Sequence, residues 1–260
     1  MNKMLYSKMN YSVSLFVCLA LLLIGSLAVI SAAKPASNIN KIAIVGDISG
    51  TSIRDSIREH NPDLVVALGD LGYEPTLSTF KKDYGIFNLK CVVGNHDSAE
   101  DSEGDPIVKE TLEYCGDWWN VKVGKTTMLF GFNTNGNLDN QLAAANKVSL
   151  QGIKNVFIMS HKPCYTSPNS HHPVESNVKS FCDSLASSIP AGIKVYYIAA
   201  HNHQLASTAD GTKFISGGGG RSHYDCGTDA FWNFCDNKNY GFLEVAINID
   251  NGNVDANFVK

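Results

Sequence analysis

The chain has 260 residues, of which 44% are hydrophobic, 10% aromatic and 18% charged, and its formal net charge is −4. The apolar and aromatic content is too high for a disordered chain, and the mildly acidic balance gives no electrostatic case for a nucleic-acid partner. The sequence shows no repeat period, which excludes solenoid, collagen-like and coiled-coil architectures.

The apolar residues are concentrated near the N-terminus. Residues 13–33 run VSLFVCLALLLIGSLAVISAA without a charge, after a start that carries Lys3 and Lys8. A basic start, an apolar run and small residues at its end are typical of a secretory signal peptide. The run is also long enough to span a bilayer, so an uncleaved N-terminal anchor is the alternative. We therefore expect a signal peptide or membrane anchor over 1–36. A single domain over 37–260 would be secreted, or held on the outer face of the membrane.

The segment after residue 36 contains six cysteines. An even number of cysteines in an exported chain predicts disulfides, and buried free thiols are the alternative. Proximity along the chain favours three pairs, namely Cys226–Cys235 first, then Cys164–Cys182 and Cys91–Cys115.

Six short runs rich in branched and aromatic residues have the length of strands. In chain order they are KIAIV (41–45), DLVVAL (63–68), KCVV (90–93), TMLFGF (127–132), VFIMS (156–160) and KVYYIAA (194–200). Between them, helices are predicted over 52–60, 139–150 and 175–187. Strands that alternate with helices predict a mainly parallel sheet. The later runs 212–216 and 240–249 have no helix between them and predict a more antiparallel part.

Polar side chains follow five of the six runs directly. They are Asp47; Asp70 and Tyr73; Asn95, His96 and Asp97; His161; and His201 with His203. Ligands of an open parallel sheet bind beyond the carboxyl ends of its strands, so we expect these side chains at one edge. Carboxylates, imidazoles, an amide and a phenol suit two hard or borderline transition-metal ions, and not a thiolate zinc site. Taken singly, each residue has an ordinary explanation as a turn or as a hydrogen-bonded histidine.

In this order, the motifs GDISG, GDLGY, GNHD, SHKP and AHNH resemble those of the calcineurin-like metallophosphoesterase family. The resemblance spans Lys41 to about Gly220. It implies an α/β (α+β) fold, the four-layer αββα sandwich of this family, with mixed, partly parallel sheets. Three details are similar to the purple acid phosphatase branch. The first motif has Ser49 where most members have histidine, Tyr73 stands three residues after Asp70, and the pair His171–His172 follows His161.

The resemblance also implies which residues hold two metal ions. Asp47, Tyr73 and His203 would bind one ion, expected to be Fe(III). Asn95, His161 and His201 would bind the other, a divalent Fe, Zn or Mn, and Asp70 would bridge the two. A phenolate is a hard anionic donor that stabilises a trivalent ion, whereas neutral amide and imidazole donors suit a divalent one.

The implied activity is hydrolysis of phosphate monoesters by attack of a metal-bound hydroxide, as in acid phosphatases. His96 would meet the phosphate, and Asp97 would hold the ring of His96. His171 and His172 would bind phosphate or protonate the leaving group, helped by Glu175, which implies an acidic optimum; a polar loop at the mouth of the site is the alternative. Gly217–Gly220 either lets backbone approach the site or forms a plain turn.

Two other functions fit the same motifs. One is a phosphodiesterase that acts on nucleotides or lipid head groups, and the other is a non-catalytic cell-surface binding module that keeps the fold. The expected partner is a small phosphorylated substrate.

Overall fold

The computed structural model describes residues 40–71, 77–97 and 106–260. The predicted signal peptide or anchor over 1–36 lies outside these residues. Within them, no helix combines the length and the apolar character needed to cross a membrane.

The described part of the chain contains five helices and twelve strands. The helices are α1 (Ser52–His60), α2 (Leu77–Tyr84), α3 (Pro106–Cys115), α4 (Leu138–Ala145) and α5 (Ser176–Ser188). The strands are β1 (Lys41–Val45), β2 (Leu64–Ala67), β3 (Leu89–Cys91), β4 (Trp118–Val123), β5 (Thr127–Phe132), β6 (Asn155–Ser160), β7 (Lys194–Ala199), β8 (Leu205–Ser207), β9 (Lys213–Ser216), β10 (Phe234–Asp236), β11 (Phe242–Ile247) and β12 (Val254–Val259).

The strands form two mixed sheets. The first has the order β12-β11-β1-β2-β3, in which β1, β2 and β3 are parallel while β11 and β12 are antiparallel. The second has the order β10-β8-β9-β7-β6-β5-β4, with a parallel centre from β9 to β5 and antiparallel strands at both ends. The mixed, partly parallel sheets are confirmed. The expectation of a single mainly parallel sheet with a separate antiparallel part is corrected, because antiparallel strands complete both sheets.

The side chains of β1 show how the layers are built. Ile42 and Ile44 enter a core that also contains residues of β6 and β7, so this core lies between the two sheets. Ala43 and Val45 point the other way, into a core shared with α1 and α2. Successive side chains of a strand face opposite sides, so a strand buried on both faces reads as a continuous apolar run. A third core packs α4 and α5 against the second sheet. The order helix, sheet, sheet, helix is the predicted four-layer sandwich.

Most of the predicted elements are present with small shifts at their ends. α1, β1 and β5 have the predicted bounds, and α5 is shifted by one residue. The helix predicted over 139–150 ends at Ala145, because Asn146 caps it and the following residues form tight turns. Six described elements were not predicted, namely α2, α3, β4, β8, β10 and β12.

The three predicted disulfides are confirmed as Cys91–Cys115, Cys164–Cys182 and Cys226–Cys235. Two of them fix segments that follow strand ends, since Cys164 lies three residues after His161 and Cys226 lies beyond β9. Disulfides of this kind are typical of proteins from oxidising compartments.

Hydrogen bonds between the ends of β1 and β9 join the two sheets. Ser216 Oγ donates to Ile44 O at 2.7 Å, and Gly46 N donates to Ser216 O at 2.8 Å. Ser49 N continues the contact by donating to Gly219 O at 2.9 Å. The carboxyl ends of strands from both sheets therefore meet in one place.

Candidate metal centre

Six of the seven predicted metal ligands lie where these strand ends meet. Asp47, Asp70 and Asn95 follow β1, β2 and β3 of the first sheet, whereas His161, His201 and His203 follow β6 and β7 of the second. The seventh, Tyr73, lies outside the described residues. Each sheet thus supplies half of the described donor set.

His161 stands at the centre of one half of the site. Its Nε2 atom lies 2.9 Å from Asn95 Oδ1, 3.2 Å from His201 Nδ1 and 3.5 Å from Asp70 Oδ1. Donor atoms that surround an ion at about 2.1 Å lie about 3.0–3.4 Å from one another. The distances from His161 Nε2 to these three donors are therefore close to those between ligands of one shared cation.

His203 and Asp47 form the other half of the site. His203 Nε2 lies 3.5 Å from Asp47 Oδ1. Donor atoms of Asp47, Asp70 and His161 all lie within 4.8 Å of one another. Asp70 thus lies within reach of both halves, as a bridging carboxylate must.

Backbone carbonyls fix which nitrogen of two imidazoles faces the site. His161 Nδ1 lies 2.8 Å from Leu68 O, and His203 Nδ1 lies 2.7 Å from Ser222 O. Because a carbonyl only accepts, Nδ1 carries the proton in both rings and Nε2 presents its lone pair inward. Such an outer hydrogen bond is the usual support of a metal-binding histidine.

The backbone at four of these residues is left-handed, with φ values of 56° at Asp47, 50° at Asp70, 68° at His201 and 40° at His203. A positive φ costs a residue with a Cβ about 1 kcal/mol or more, and clusters of such residues mark functional sites. Here the conformation turns the chain sharply after β1, β2 and β7. The side chains of His201 and His203 thus both reach the site, at 3.2 Å from His161 and 3.5 Å from Asp47.

Two carboxylates in this site are fully buried, Asp47 at 0% and Asp70 at 1% exposure. Burial opposes a charge on His161, but Asp70 and Asp47 outweigh this effect and raise the pKa of His161 above its ordinary value. The two carboxylates that raise this pKa give the site excess negative charge, which bound cations would neutralise. Burial also lowers the pKa of His203 to about 4, so this ligand is neutral at physiological pH. The donor set, its spacing and its charge all fit metal ions.

Asp97 connects two of the loops that carry ligands. Its carboxylate accepts from Leu71 N at 2.8 Å and from Gly94 N at 2.8 Å. Burial, and then the neighbouring Asp70, raise the pKa of Asp97 to about 6. The structure thus places this carboxylate against the backbone of the loops around Asp70 and Asn95.

His96 lies at the surface beside Asn95, and its backbone N–H donates to Asp70 Oδ1 at 2.9 Å. Glu175 caps the start of α5, and its carboxylate forms a 2.8 Å ion pair with Lys162, the residue after the ligand His161. Glu175 is therefore close to the loop that carries His161, and its charge is shared with this lysine.

His171 and His172 lie over the metal ligands. The ring of His172 stacks on that of His201, with a centroid distance of 4.1 Å and an interplanar angle of 27°. The ring of His171 stacks on that of Tyr224, with a centroid distance of 3.9 Å. Tyr224 was not predicted, because it lies in a long irregular connection between β9 and β10 that carries no sequence pattern.

The two-sheet fold, with aspartate, asparagine and histidine donors at its strand ends, is the arrangement expected of a metallophosphoesterase domain with a candidate dinuclear metal centre. The chain belongs to the calcineurin-like phosphoesterase family, because the model of that family matches residues 29–205. No curated protein matches the chain in a sequence search.

Two solved structures share the fold. One is the purple acid phosphatase PPD1 from seeds of yellow lupin (Lupinus luteus), with a TM-score of 0.59 and 14% sequence identity. The superposition covers 87% of this chain and 52% of the lupin chain. The other is GAP50, the anchor in the inner membrane complex of Plasmodium, also with a TM-score of 0.59 and 14% identity, which covers 85% of this chain and 84% of the other. The chain thus spans about half the length of the lupin enzyme and most of the length of GAP50.

Proposed function

We propose that the chain is an exported phosphatase that hydrolyses phosphate monoesters at a dinuclear metal centre. The observation that carries this proposal is that two buried aspartates, one amide and three imidazoles meet where strands of both sheets end, with neighbouring donors 2.9–3.5 Å apart. Such a set of metal donors is what enzymes of this family use, and the lupin purple acid phosphatase shares the fold.

The two halves of the site differ in the charge of their donors. Asp47 and His203, completed by Tyr73, would hold an Fe(III) ion. Asn95, His161 and His201 would hold a divalent Fe, Zn or Mn, with Asp70 shared. When bound, the two cations neutralise the charge of the phosphate and lower the pKa of a water molecule that can attack phosphorus.

Protein side chains around the centre would complete the catalytic site. His96, which is exposed beside Asn95, would meet a phosphate oxygen. The carboxylate of Asp97 accepts from the backbone of the neighbouring loops, and its role in holding the ring of His96 stays a prediction. His171 is exposed and His172 partly exposed, and we propose that they bind phosphate or protonate the leaving alkoxide. Burial lowers the pKa of His172, so His172 would act as an acid only at acidic pH. Glu175 would act through its ion pair with Lys162 and not as a free carboxylate.

A second function rests on the similarity to GAP50, which is described as an anchor. A binding module of this kind would keep the fold without needing a complete donor set. The six described donors at ligand-to-ligand spacing favour the enzyme. A chain that binds no metal would favour the binding module.

We also propose that the chain works outside the cytosol, either secreted after cleavage near residue 36 or anchored by its N-terminal segment. The three disulfides support export. N-terminal sequencing of the protein from a secretory host would separate the two forms, since cleavage removes the apolar run and an anchor retains it.

The function is tested by metal analysis and by activity on two classes of ester. The full chain is produced in a secretory host, its bound metals are measured, and phosphate monoesters are compared with diesters across pH. We expect two ions per chain and a preference for monoesters. A preference for diesters of nucleotides or lipid head groups would replace the phosphatase by a phosphodiesterase, and inactivity of a protein loaded with two ions would refute the enzyme.

A further inference from the structure

We propose that Asn202 and Tyr224 are positioning residues, which hold the His171–His172 pair over the metal ligands. The inference rests on the proposed function, because it gives this histidine pair its role in phosphate recognition. It assigns a task to two residues that are not themselves metal ligands.

The His171–His172 pair lies on a long irregular segment that must be held in place by contacts with other segments. Residues 161–175 link β6 to α5 without helix or strand, and long irregular segments are mobile unless other contacts hold them. A group that recognises a reacting phosphate must be held closely, since a displacement of about 1 Å can cost about 100-fold in rate. Contacts with Asn202 and Tyr224 hold His172 and His171 in place.

Asn202 fixes the backbone of His172. Asn202 lies between the proposed ligands His201 and His203 in the sequence, and its side chain is fully buried. Asn202 Oδ1 accepts from His172 N at 3.0 Å, while Nδ2 donates to His172 O at 3.1 Å. One amide thus satisfies both backbone polar groups of His172, as a neighbouring strand would. The position of His172 is therefore set by the same short segment that sets the two ligands.

Tyr224 fixes the ring of His171. The tyrosine ring stacks on His203, at a centroid distance of 4.3 Å and an angle of 17°, and on His171, at 3.9 Å and 17°. The ring of His172 meets it edge-on at 5.3 Å. The tyrosine ring is thus a spacer between a metal ligand and the proposed phosphate-binding ring. Its own loop is fixed twice, because Ser222 O accepts from His203 Nδ1 and because Cys226 is bonded to Cys235.

Further contacts join the two loops away from the rings. Asp229 accepts from the hydroxyl of Ser167 and, at 3.2 Å, from Asn169 Nδ2. The loop that carries the histidine pair and the loop that carries Tyr224 are therefore attached at two places. An arrangement so heavily constrained keeps both rings at a fixed height over the metal centre, which is the preorganisation that a phosphate-binding site needs.

The test compares two disruptive variants with two matched controls in the metal-loaded full chain. Asn202→Ala removes both hydrogen bonds to His172, and Gln204→Ala is its control, because Gln204 is equally buried on the other side of His203. Tyr224→Leu removes the ring between the histidines, and Tyr224→Phe keeps it. The readouts are metal content, the affinity for inorganic phosphate, and kcat and KM for an aryl and an alkyl phosphate monoester.

We expect both disruptive variants to keep two ions, to bind phosphate about 10-fold more weakly and to lose about 10–100-fold in kcat/KM. Both controls should stay within about twofold of the unmodified chain. Residues that act through the same group are not additive. In a chain that already carries His171→Ala and His172→Ala, the change Asn202→Ala should therefore have no further effect.

Several results would overturn the inference. These are an Asn202→Ala variant that resembles Gln204→Ala, a loss of metal with Asn202→Ala, or a full effect in the chain without the two histidines. Tyr224 is partly exposed, so its substitution disturbs the core less than that of Asn202. If Asn202→Ala fails to fold, the phosphate affinity and kcat/KM of Tyr224→Leu test the inference instead. If the unmodified loaded chain hydrolyses no ester, the proposed function fails, whereas phosphate affinity still tests the positioning; absence of phosphate binding as well would overturn both.

Discussion

Gly217 lies so close to the metal centre that a single added methyl group should damage one ion site. A Cβ atom at this position would stand 2.5 Å from Asp47 Oδ2 and 2.9 Å from His203 N. Ordinary contacts begin at 3.4 Å, so the carboxylate would be about 0.9 Å too close. The backbone of Gly217 cannot easily retreat, because its N–H donates to Gln204 O at 3.0 Å.

The variant Gly217→Ala should therefore displace Asp47 and weaken the ion held by Asp47 and His203. Metal sites tolerate deviations of about 0.2 Å in ligand distance, which is several times less than the displacement. We expect the affinity for this ion to fall by about 10–100-fold, equivalent to about 1.4–2.7 kcal/mol. The assay is metal titration monitored by calorimetry, which should show one ion bound normally and one bound weakly.

A matched control is Gly152→Ala, since Gly152 lies in an open turn with no atom within 4 Å of the added methyl group. Gly152 has a φ of 77°, so its substitution costs stability without touching the site. Two ions bound at unchanged affinity by Gly217→Ala would refute the assignment of Asp47 as a ligand.

Three further predictions concern a ligand, a disulfide and a charge. Asn95→Ala removes a ligand of the divalent ion, and we expect kcat/KM in a phosphatase assay to fall about 100-fold or more; full activity would contradict the proposed ligand set. Replacement of both Cys226 and Cys235 by serine should lower the free energy of unfolding by about 2–3 kcal/mol in denaturant titrations, and it should weaken phosphate binding because the loop of Tyr224 is released; an unchanged phosphate affinity would argue against that link. The hydrogen bond from the Ser167 hydroxyl is the largest of several that lower the pKa of Asp229. The contribution of Asp229 to folding stability is therefore present above the ordinary aspartate pKa and lost as pH falls through the lowered pKa. The unmodified chain should therefore have a higher Tm than Asp229→Asn, by a constant difference at neutral and mildly acidic pH that vanishes in strong acid. A difference in Tm that grew on acidification would contradict a lowered pKa of Asp229.

The strand ends could be predicted from the sequence because two strong local signals coincide there. β1 is a continuous apolar run buried on both faces, and Gly46-Asp47 ends it abruptly. At β2 the apolar run ends in Gly69-Asp70, whereas at β6 it ends directly at His161. Within one sheet, parallel strands share one direction, so adjacency of their carboxyl ends follows from the pattern. The meeting of the two sheets at this place depends on contacts between distant segments.

Elements without such signals were missed. β10 is three residues long and only partly buried, so its sequence carries little periodicity. β12 shows a usable alternation, in which Val254, Ala256 and Phe258 pack against the core while Asp255 is exposed, and this alternation could have predicted the strand.

The surroundings of the histidine pair could not be predicted, because they depend on contacts between distant segments. Tyr224 stacks on His171, which lies more than fifty residues earlier in the chain. Asn202 lies between two predicted ligands in the sequence, whereas its amide holds the backbone of His172, 30 residues earlier. No local pattern encodes either contact.

The central claim is that strand ends from both sheets build a centre for two metal ions around Asp70. The most direct measurement is the number of tightly bound metal ions per chain, by elemental analysis of the purified full chain after exposure to Fe, Zn and Mn, compared with its Asp70→Ala variant. We expect two ions in the unmodified chain and a loss of both or nearly both when the shared carboxylate is removed. A chain that binds no metal, or a variant that still binds two ions, would contradict it.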